Sequence, residues 1–306
     1  MKALARRLRR WMALELEARA NAQLVLLGAL HARRVRTLPY PPRCDPPSER
    51  LRECQFTVFS QWGEDGILQY LLHNVRVAHR TFVEFGVEDY REANTRFLLV
   101  HDNWQGLVMD SSAAHIERIR RDDIHWRHDL QARTAHVTRE NIDSLLSEAG
   151  FDSDLGLLSI DIDGNDYWIW DAITSVRPRI VVCEYNSVFG RDAVTIPYDA
   201  GFRRHVAQHS GLYFGASLAA LDHLARGKGY VLAGCDTSGT NAFFVRGDLA
   251  VPGLAVDAGA AYVEGHIRES RDVQGKLTFV RGPDRRALIA HLPVVDVMTG
   301  KLRPLG

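Results

Sequence analysis

The chain has 306 residues, enough for one large domain with appendages and far above the size at which a small core needs disulfide staples. Its composition of 46% apolar and 25% charged residues sits at the globular average, which excludes collagen-like, disordered and membrane-span-dominated chains. Lys plus Arg and Asp plus Glu number 38 each, so no general affinity for polyanions is expected and nucleic acid drops out as a partner.

Residues 1–40 depart from this balance, with nine basic side chains (Lys2, Arg6, Arg7, Arg9, Arg10, Arg19, Arg33, Arg34, Arg36) against Glu15 and Glu17. Ala, Leu, Arg and Glu dominate and no breaker precedes Gly28, so residues 1–38 read as a basic helix. Glu15, Glu17 and Arg19 interrupt any secretory core, and no run approaches the roughly 20 apolar residues of a spanning helix. A cytoplasmic chain is expected, its basic helix packing, self-associating or lying on an anionic membrane surface. Pro39, Pro41, Pro42, Pro46 and Pro47 make residues 39–50 a linker.

Beyond the linker the pattern alternates. QWGEDGILQYLLHNV feeds a helix, and strands are predicted at 81–87 (TFVEFGV), 106–111 (GLVMDS), 132–138 (ARTAHVT), 156–166 (GLLSIDIDGND) and 178–187 (PRIVVCEYNS), with helices between them. Asp166 is the expected N-cap of DYWIWDAITSV, and Gly150 a helix stop. A helix follows at ASLAALDHLARGKG, then a closing hairpin of 229–235 and 241–246 as an antiparallel edge. The fold class is therefore α/β, a doubly wound, mostly parallel sheet over residues 51–250, and residues 251–306 extend it without a readable pattern. Cys44, Cys54, Cys183 and Cys235 show no metal or redox spacing and are read as reduced thiols, and the 13 histidines show no ligand motif either.

In such sheets, ligands bind beyond the carboxyl ends of the strands, so the acids there are the candidate functional residues. Glu84 and Gly86 close the first strand, the glycine allowing close approach and the carboxylate accepting from a ligand. Asp110 and Ser111 close the second, where an acid takes both protons of a ribose diol or caps the next helix. Asp161 and Asp163 share one side of the fourth strand end, and Glu184 and Asn186 repeat the spacing at the fifth. If those strands are neighbours, the four converge into an oxygen-rich set suited to Mg²⁺ or to a sugar's hydroxyls. Alternatively Asp163 and Asp166 are turn and cap residues, with Glu184 paired to Arg179 or Arg191.

The succession FVEFG, GLVMDSS, LLSIDIDGNDYWIWDAI, RPRIVVCEYN and NAFFVR over residues 55–250 resembles the FkbM-type branch of class I S-adenosylmethionine-dependent methyltransferases, as does SQWGEDG at 60–66. The resemblance implies a seven-stranded Rossmann-like sheet and an O-methyltransferase acting on a glycan, lipid-linked saccharide or secondary metabolite. It implies cofactor contacts from Gln61, Glu64, Asp65, Glu84, Gly86, Asp110, Ser111 and Asp161, with Asp161, Asp163 and Glu184 as catalytic base or, with Asn186, as Mg²⁺ ligands. The family's E-x-G-x-G-x-G has Glu88 and Tyr90 at its second and third glycines here. That departure leaves open a catalytically silent binding module, and Asp161-Ile162-Asp163 leaves open a metal-dependent nucleotide-sugar enzyme. Arg191, Tyr198 and Tyr213 are further candidates for the acceptor pocket.

Overall fold

The computed structural model describes residues 2–151 and 153–306, and within the first helix it describes the side chains of Met12, Glu15, Leu16 and those from Arg19 onward. The chain opens with helix α1 (Lys2–Val35) and α2 (Glu64–Asn74). Strand and helix then alternate as β1 (Thr81–Phe85), α3 (Arg96–Asp102), β2 (Gln105–Asp110), α4 (Ala113–Arg121), α5 (Asp123–Arg127), β3 (Leu130–Thr134), α6 (Ile142–Ser147), β4 (Leu157–Ile160), α7 (Asp166–Ala172) and β5 (Ile180–Glu184). After a short β6 (Val194–Thr195) come α8 (Arg204–Ala207), α9 (Leu218–Gly227), β7 (Tyr230–Cys235), β8 (Asn241–Arg246), α10 (Ala258–Ala261), α11 (Pro283–Ala287), β9 (Pro293–Asp296) and β10 (Lys301–Pro304).

Seven strands form one sheet in the order β3-β2-β1-β4-β5-β8-β7. β1 to β5 pair in parallel, and β8 runs antiparallel to both of its neighbours. The expected hairpin thus closes one edge of the sheet antiparallel, with β8 against β5 and β7 outermost. NAFFVR is buried at every position, so it is suited to lie between two neighbours.

Alternate residues of each strand feed two cores. Val83, Phe85, Leu107, Met109, Leu158 and Val181 face α6, α7 and α9, whereas Phe82, Val108, Leu157 and Val182 face α2, α3 and α4. Trp170 of α7 anchors the first core, its ring centroid 4.9 Å from Phe244 and 5.9 Å from Tyr230.

The last third of α1 packs on α2 and α3 through Ala32 and Val35. Arg34 donates to the Glu53 carbonyl at 2.7 Å, and Arg36 to Gln69 Oε1 at 2.6 Å and Asp102 at 3.2 Å, so part of the basic excess serves internal contacts. Leu16, Leu26, Leu27 and Leu30 are exposed. No described helix is long and apolar enough to cross a membrane. All four cysteines are free.

The C-terminal residues return to the site side of the molecule. β9 pairs with both β6 and β10 in a second, three-stranded sheet whose Val294 packs with Phe189, Ile196, Leu212 and Ile289. Arg286 ties this layer down by donating to the carbonyls of Phe189 at 2.7 Å and Leu305 at 2.8 Å.

Replacing Trp170 with alanine removes the largest fully buried side chain. A loss of about 3–5 kcal/mol is expected in urea unfolding.

Candidate functional site

The β1–β4 and β4–β5 registers bring the strand ends level, with Ile160 opposite Cys183, so the residues that follow β4 stand beside Glu184. Carboxylate oxygens of Asp161, Asp163 and Glu184 lie within 4.8 Å of one another, the convergence expected if the two strands are neighbours. Burial pushes the Asp161 and Glu184 carboxyls well above the usual range, and the neighbouring acids push them further. Glu184 Oε2 is buried without a hydrogen-bond partner.

Of the positive charges in this crevice, Arg204 stands nearest the three acids. Its Nη1 donates to Asp163 Oδ1 at 2.5 Å, its Nε to the Gly211 carbonyl at 2.7 Å, and its guanidinium stands 3.6 Å from the centroid of the Phe214 ring. Neither Arg179 nor Arg191 pairs with Glu184: Arg179 bonds Asp154, and Arg191 bonds the Gly259 carbonyl.

Asn186 does not join the acids. Its Nδ2 donates to the carbonyls of Leu212 at 2.8 Å and Phe214 at 2.9 Å, while its Oδ1 accepts from Val188 N–H at 2.9 Å. With that amide engaged, the predicted four-residue Mg²⁺ set is reduced to three carboxylates, one of them already paired with a guanidinium. Asp166 does not cap α7 either. It is the first helical residue, and its carboxylate accepts from Ile162 N–H at 2.8 Å and Gly164 N–H at 2.9 Å, which folds the turn carrying Asp163.

At the end of β2, Asp110 accepts from Glu88 N–H at 2.9 Å and Ser112 N–H at 2.7 Å, and His115 Nδ1 lies 3.3 Å away. Ser112 is the N-cap of α4, and Ser111 is exposed. The loop after β1 takes left-handed backbone at Gly86 (φ 71°), Glu88 (φ 47°) and Tyr90 (φ 62°). It thus adopts a glycine-type path at two positions that lack glycine. Tyr90 is held there by full burial and a 2.9 Å hydrogen bond between its hydroxyl and Thr95 Oγ1. Gly86 itself is required by the protein, since a Cβ there would stand 1.7 Å from the Asp161 carbonyl oxygen.

Three other predicted contacts are engaged by the chain. Glu84 accepts from Asn94 N–H, Thr95 N–H and Thr95 Oγ1, which orders the start of α3. One oxygen of Asp65 gathers the N–H groups of Val58, Phe59 and Ser60 at 2.7–2.9 Å. Glu64 accepts from Trp62 N–H at 2.7 Å and from Asn241 Nδ2 at 2.8 Å, linking α2 to β8. Gln61 is exposed and donates to Glu92 at 2.6 Å.

Beside Glu184 a small open crevice is lined by Tyr185, Arg204 and Phe214, and by Gly265, Ile267 and Arg285 of the C-terminal segment. Arg285 Nη1 donates to the Gly265 carbonyl at 3.0 Å, and its Nε is buried without a partner. Arg191, Tyr198 and Tyr213 lie outside this lining; the hydroxyls of Tyr198 and Tyr213 bond Glu140 and the Pro293 carbonyl. Sequence reasoning missed Arg204 and Arg285, which no motif marks. His115 was legible only as the residue one helical turn after a capping serine.

A sheet ordered 3-2-1-4-5, with an antiparallel strand inserted before the last, and with acids at the ends of its first, second, fourth and fifth strands, is the class I methyltransferase fold. No family model matches the sequence, and no curated protein matches it. Among solved structures, the N-terminal domain of EvdMO1 with SAH bound is similar at 11% identity and a TM-score of 0.39, over 66% of this chain and 80% of that one. An O-methyltransferase from Bacillus cereus in complex with SAH is 12% identical, with a TM-score of 0.37, over 74% and 88%. A geranyl diphosphate methyltransferase in complex with SAM is 14% identical, with a TM-score of 0.33, over 54% and 64%. At these scores the strand order itself carries the fold assignment.

Glu64 offers a pH test. Burial, then the charge of Asp236, pushes its carboxyl up to about 7 in the folded protein, against about 4.3 in the unfolded chain. Its contribution to stability is thus full below about pH 4 and is lost as pH rises through about 7. Glu64→Gln, which an amide flip of Asn241 accommodates, is expected to match the wild type at pH 4 and to exceed it by roughly 2–4 kcal/mol at pH 8 in urea unfolding.

Proposed function

We propose that this protein is an S-adenosylmethionine-dependent O-methyltransferase of the FkbM type, acting on a hydroxyl of a glycan, a lipid-linked saccharide or a secondary metabolite. The observation that carries this reading is Glu184, whose unpartnered buried oxygen stands at the wall of a crevice at the carboxyl edge of a class I methyltransferase sheet.

The residues fit the cofactor. Asp110 uses two acceptor positions on backbone N–H groups, and a carboxylate offers about four, so capacity remains for a ribose diol. The left-handed path at Glu88 and Tyr90 favours a working site over a silent module, because the backbone conformation that the missing glycines would serve is retained. From the strand spacing, Asp110 and Asp161 stand about 10 Å apart, two strands from one another across β1. A cofactor held at β1 and β2 thereby abuts the acid crevice. When bound, S-adenosylmethionine supplies the methyl group and leaves as S-adenosylhomocysteine. The acceptor hydroxyl loses its proton to Glu184, whose burial raises its proton affinity toward the range a general base needs. The protein otherwise acts by positioning, and the C-terminal segment supplies one wall of the acceptor crevice. In this reading residues 1–38 make a surface contact, with an anionic membrane or a second copy, through the exposed leucines of α1.

Calorimetric titration with S-adenosylhomocysteine is expected to show saturable binding that weakens at least about tenfold, 1.4 kcal/mol, in Asp110→Asn. Glu184→Gln is expected to keep that affinity and to lower methyl transfer by about 10²–10⁴. A folded wild type that ignores millimolar S-adenosylhomocysteine and binds a nucleotide sugar would replace this reading with the sugar-nucleotide one.

A further inference from the structure

Three carboxylates within 4.8 Å of one another, one with a buried unpartnered oxygen, are the raw material of a divalent cation site. In this chain the cation is built in. We propose that Arg204 is the resident cation of the acidic crevice, filling the electrostatic place of a divalent metal and closing the crevice to Mg²⁺.

Asp163 is exposed, but Arg204 is held more firmly than the cation of an ordinary surface ion pair. Arg204 is fixed at three points: the Asp163 carboxylate, the Gly211 carbonyl and the Phe214 ring. The stretch that delivers it is pinned to the turn that carries Asp163. Phe202 packs on Gly164 so closely that a Cβ there would stand 2.3 Å from the ring. Asn165 Nδ2 donates to the Asp199 carbonyl at 2.8 Å, and Gly215 N–H donates to the Gly164 carbonyl at 3.0 Å. Acid and guanidinium therefore share one support, and little ordering is left to do when they meet.

Charge supports the same assignment. Burial works against the Arg204 guanidinium, and the charges of Glu184 and Asp163 more than offset it, so the group stays charged. A metal ion would have to displace a tethered cation from Asp163 and do so without Asn186, two of whose hydrogen bonds tie the loop after β5 to residues 212–214 and the third to Val188 N–H. A guanidinium also leaves Asp161 and Glu184 free of inner-sphere bonds, and Glu184 Oε2 without a hydrogen-bond partner.

The inference does not rest on the methyl-transfer reading, because cation binding is measured directly. Calorimetry with MgCl₂, and electron paramagnetic resonance with MnCl₂ as the probe, would be applied to the wild type, Arg204→Ala, Arg204→Gln and Arg204→Lys, each checked for folding by circular dichroism. The wild type and Arg204→Lys are expected to show no saturable binding at millimolar metal. Arg204→Ala or Arg204→Gln is expected to gain a saturable site that disappears when Asp161→Asn is added. Saturable Mg²⁺ or Mn²⁺ binding by the wild type that is lost in Asp161→Asn would overturn the proposal. So would the absence of any gain in a folded Arg204 variant. Should Arg204→Ala fail to fold, the wild-type titration and the glutamine variant decide the matter.

Discussion

Carboxylates that leave a buried parallel sheet enter surroundings where an unpaired charge costs several kcal/mol, and the site side of this protein is organised by how each is met. Glu84, Asp65 and Asp166 are met by backbone N–H groups, and in meeting them the chain is bent into the loops before α2, α3 and α7. Asp110 is met partly, by two N–H groups, and keeps acceptor capacity. Asp161 and Glu184 have one tethered guanidinium between them and Asp163, and both stay shifted toward the protonated form. The acids form a series from wholly met by the backbone to partly open.

Close packing then ties these acids to the fold. Gly86 lies against the Asp161 backbone, so the loop after β1 and the end of β4 cannot move independently. The loop after β1 and the end of β4 therefore keep a constant separation. The C-terminal residues complete the enclosure. β9 and β10 anchor on β6, Arg286 holds that layer to Phe189, and the stretch between brings Gly265, Ile267 and Arg285 to the crevice.

Much of this was legible in the sequence for a simple reason. Strands buried on both faces are written as short apolar runs, and an acid at the end of the first, second, fourth and fifth runs marks the carboxyl edge. Thus Glu84, Asp110, Asp161 and Glu184 were placed at the strand ends from position alone. The reading was less sharp where one residue type serves two purposes. Asp166 looked like a cap and is a turn-maker, and Asn186 looked like a ligand and ties the loop after β5 to residues 212–214. Glu88 and Tyr90 looked like lost glycines, yet burial of the Tyr90 ring and the Asp110 hydrogen bond to Glu88 N–H accompany the same left-handed path.

The sequence by itself determined the alternation of strands and helices, the basic character of residues 1–38 and the acids at the strand ends, because these follow from local periodicity and residue type. Only the tertiary structure decided which acids remain available and what neutralises them. Arg204 meets Asp163 across 41 residues, Asn241 meets Glu64 across 177, and Arg285 reaches the crevice from a segment without periodicity. Such pairings arise from where loops are pinned once the sheet has closed, and no local propensity encodes them.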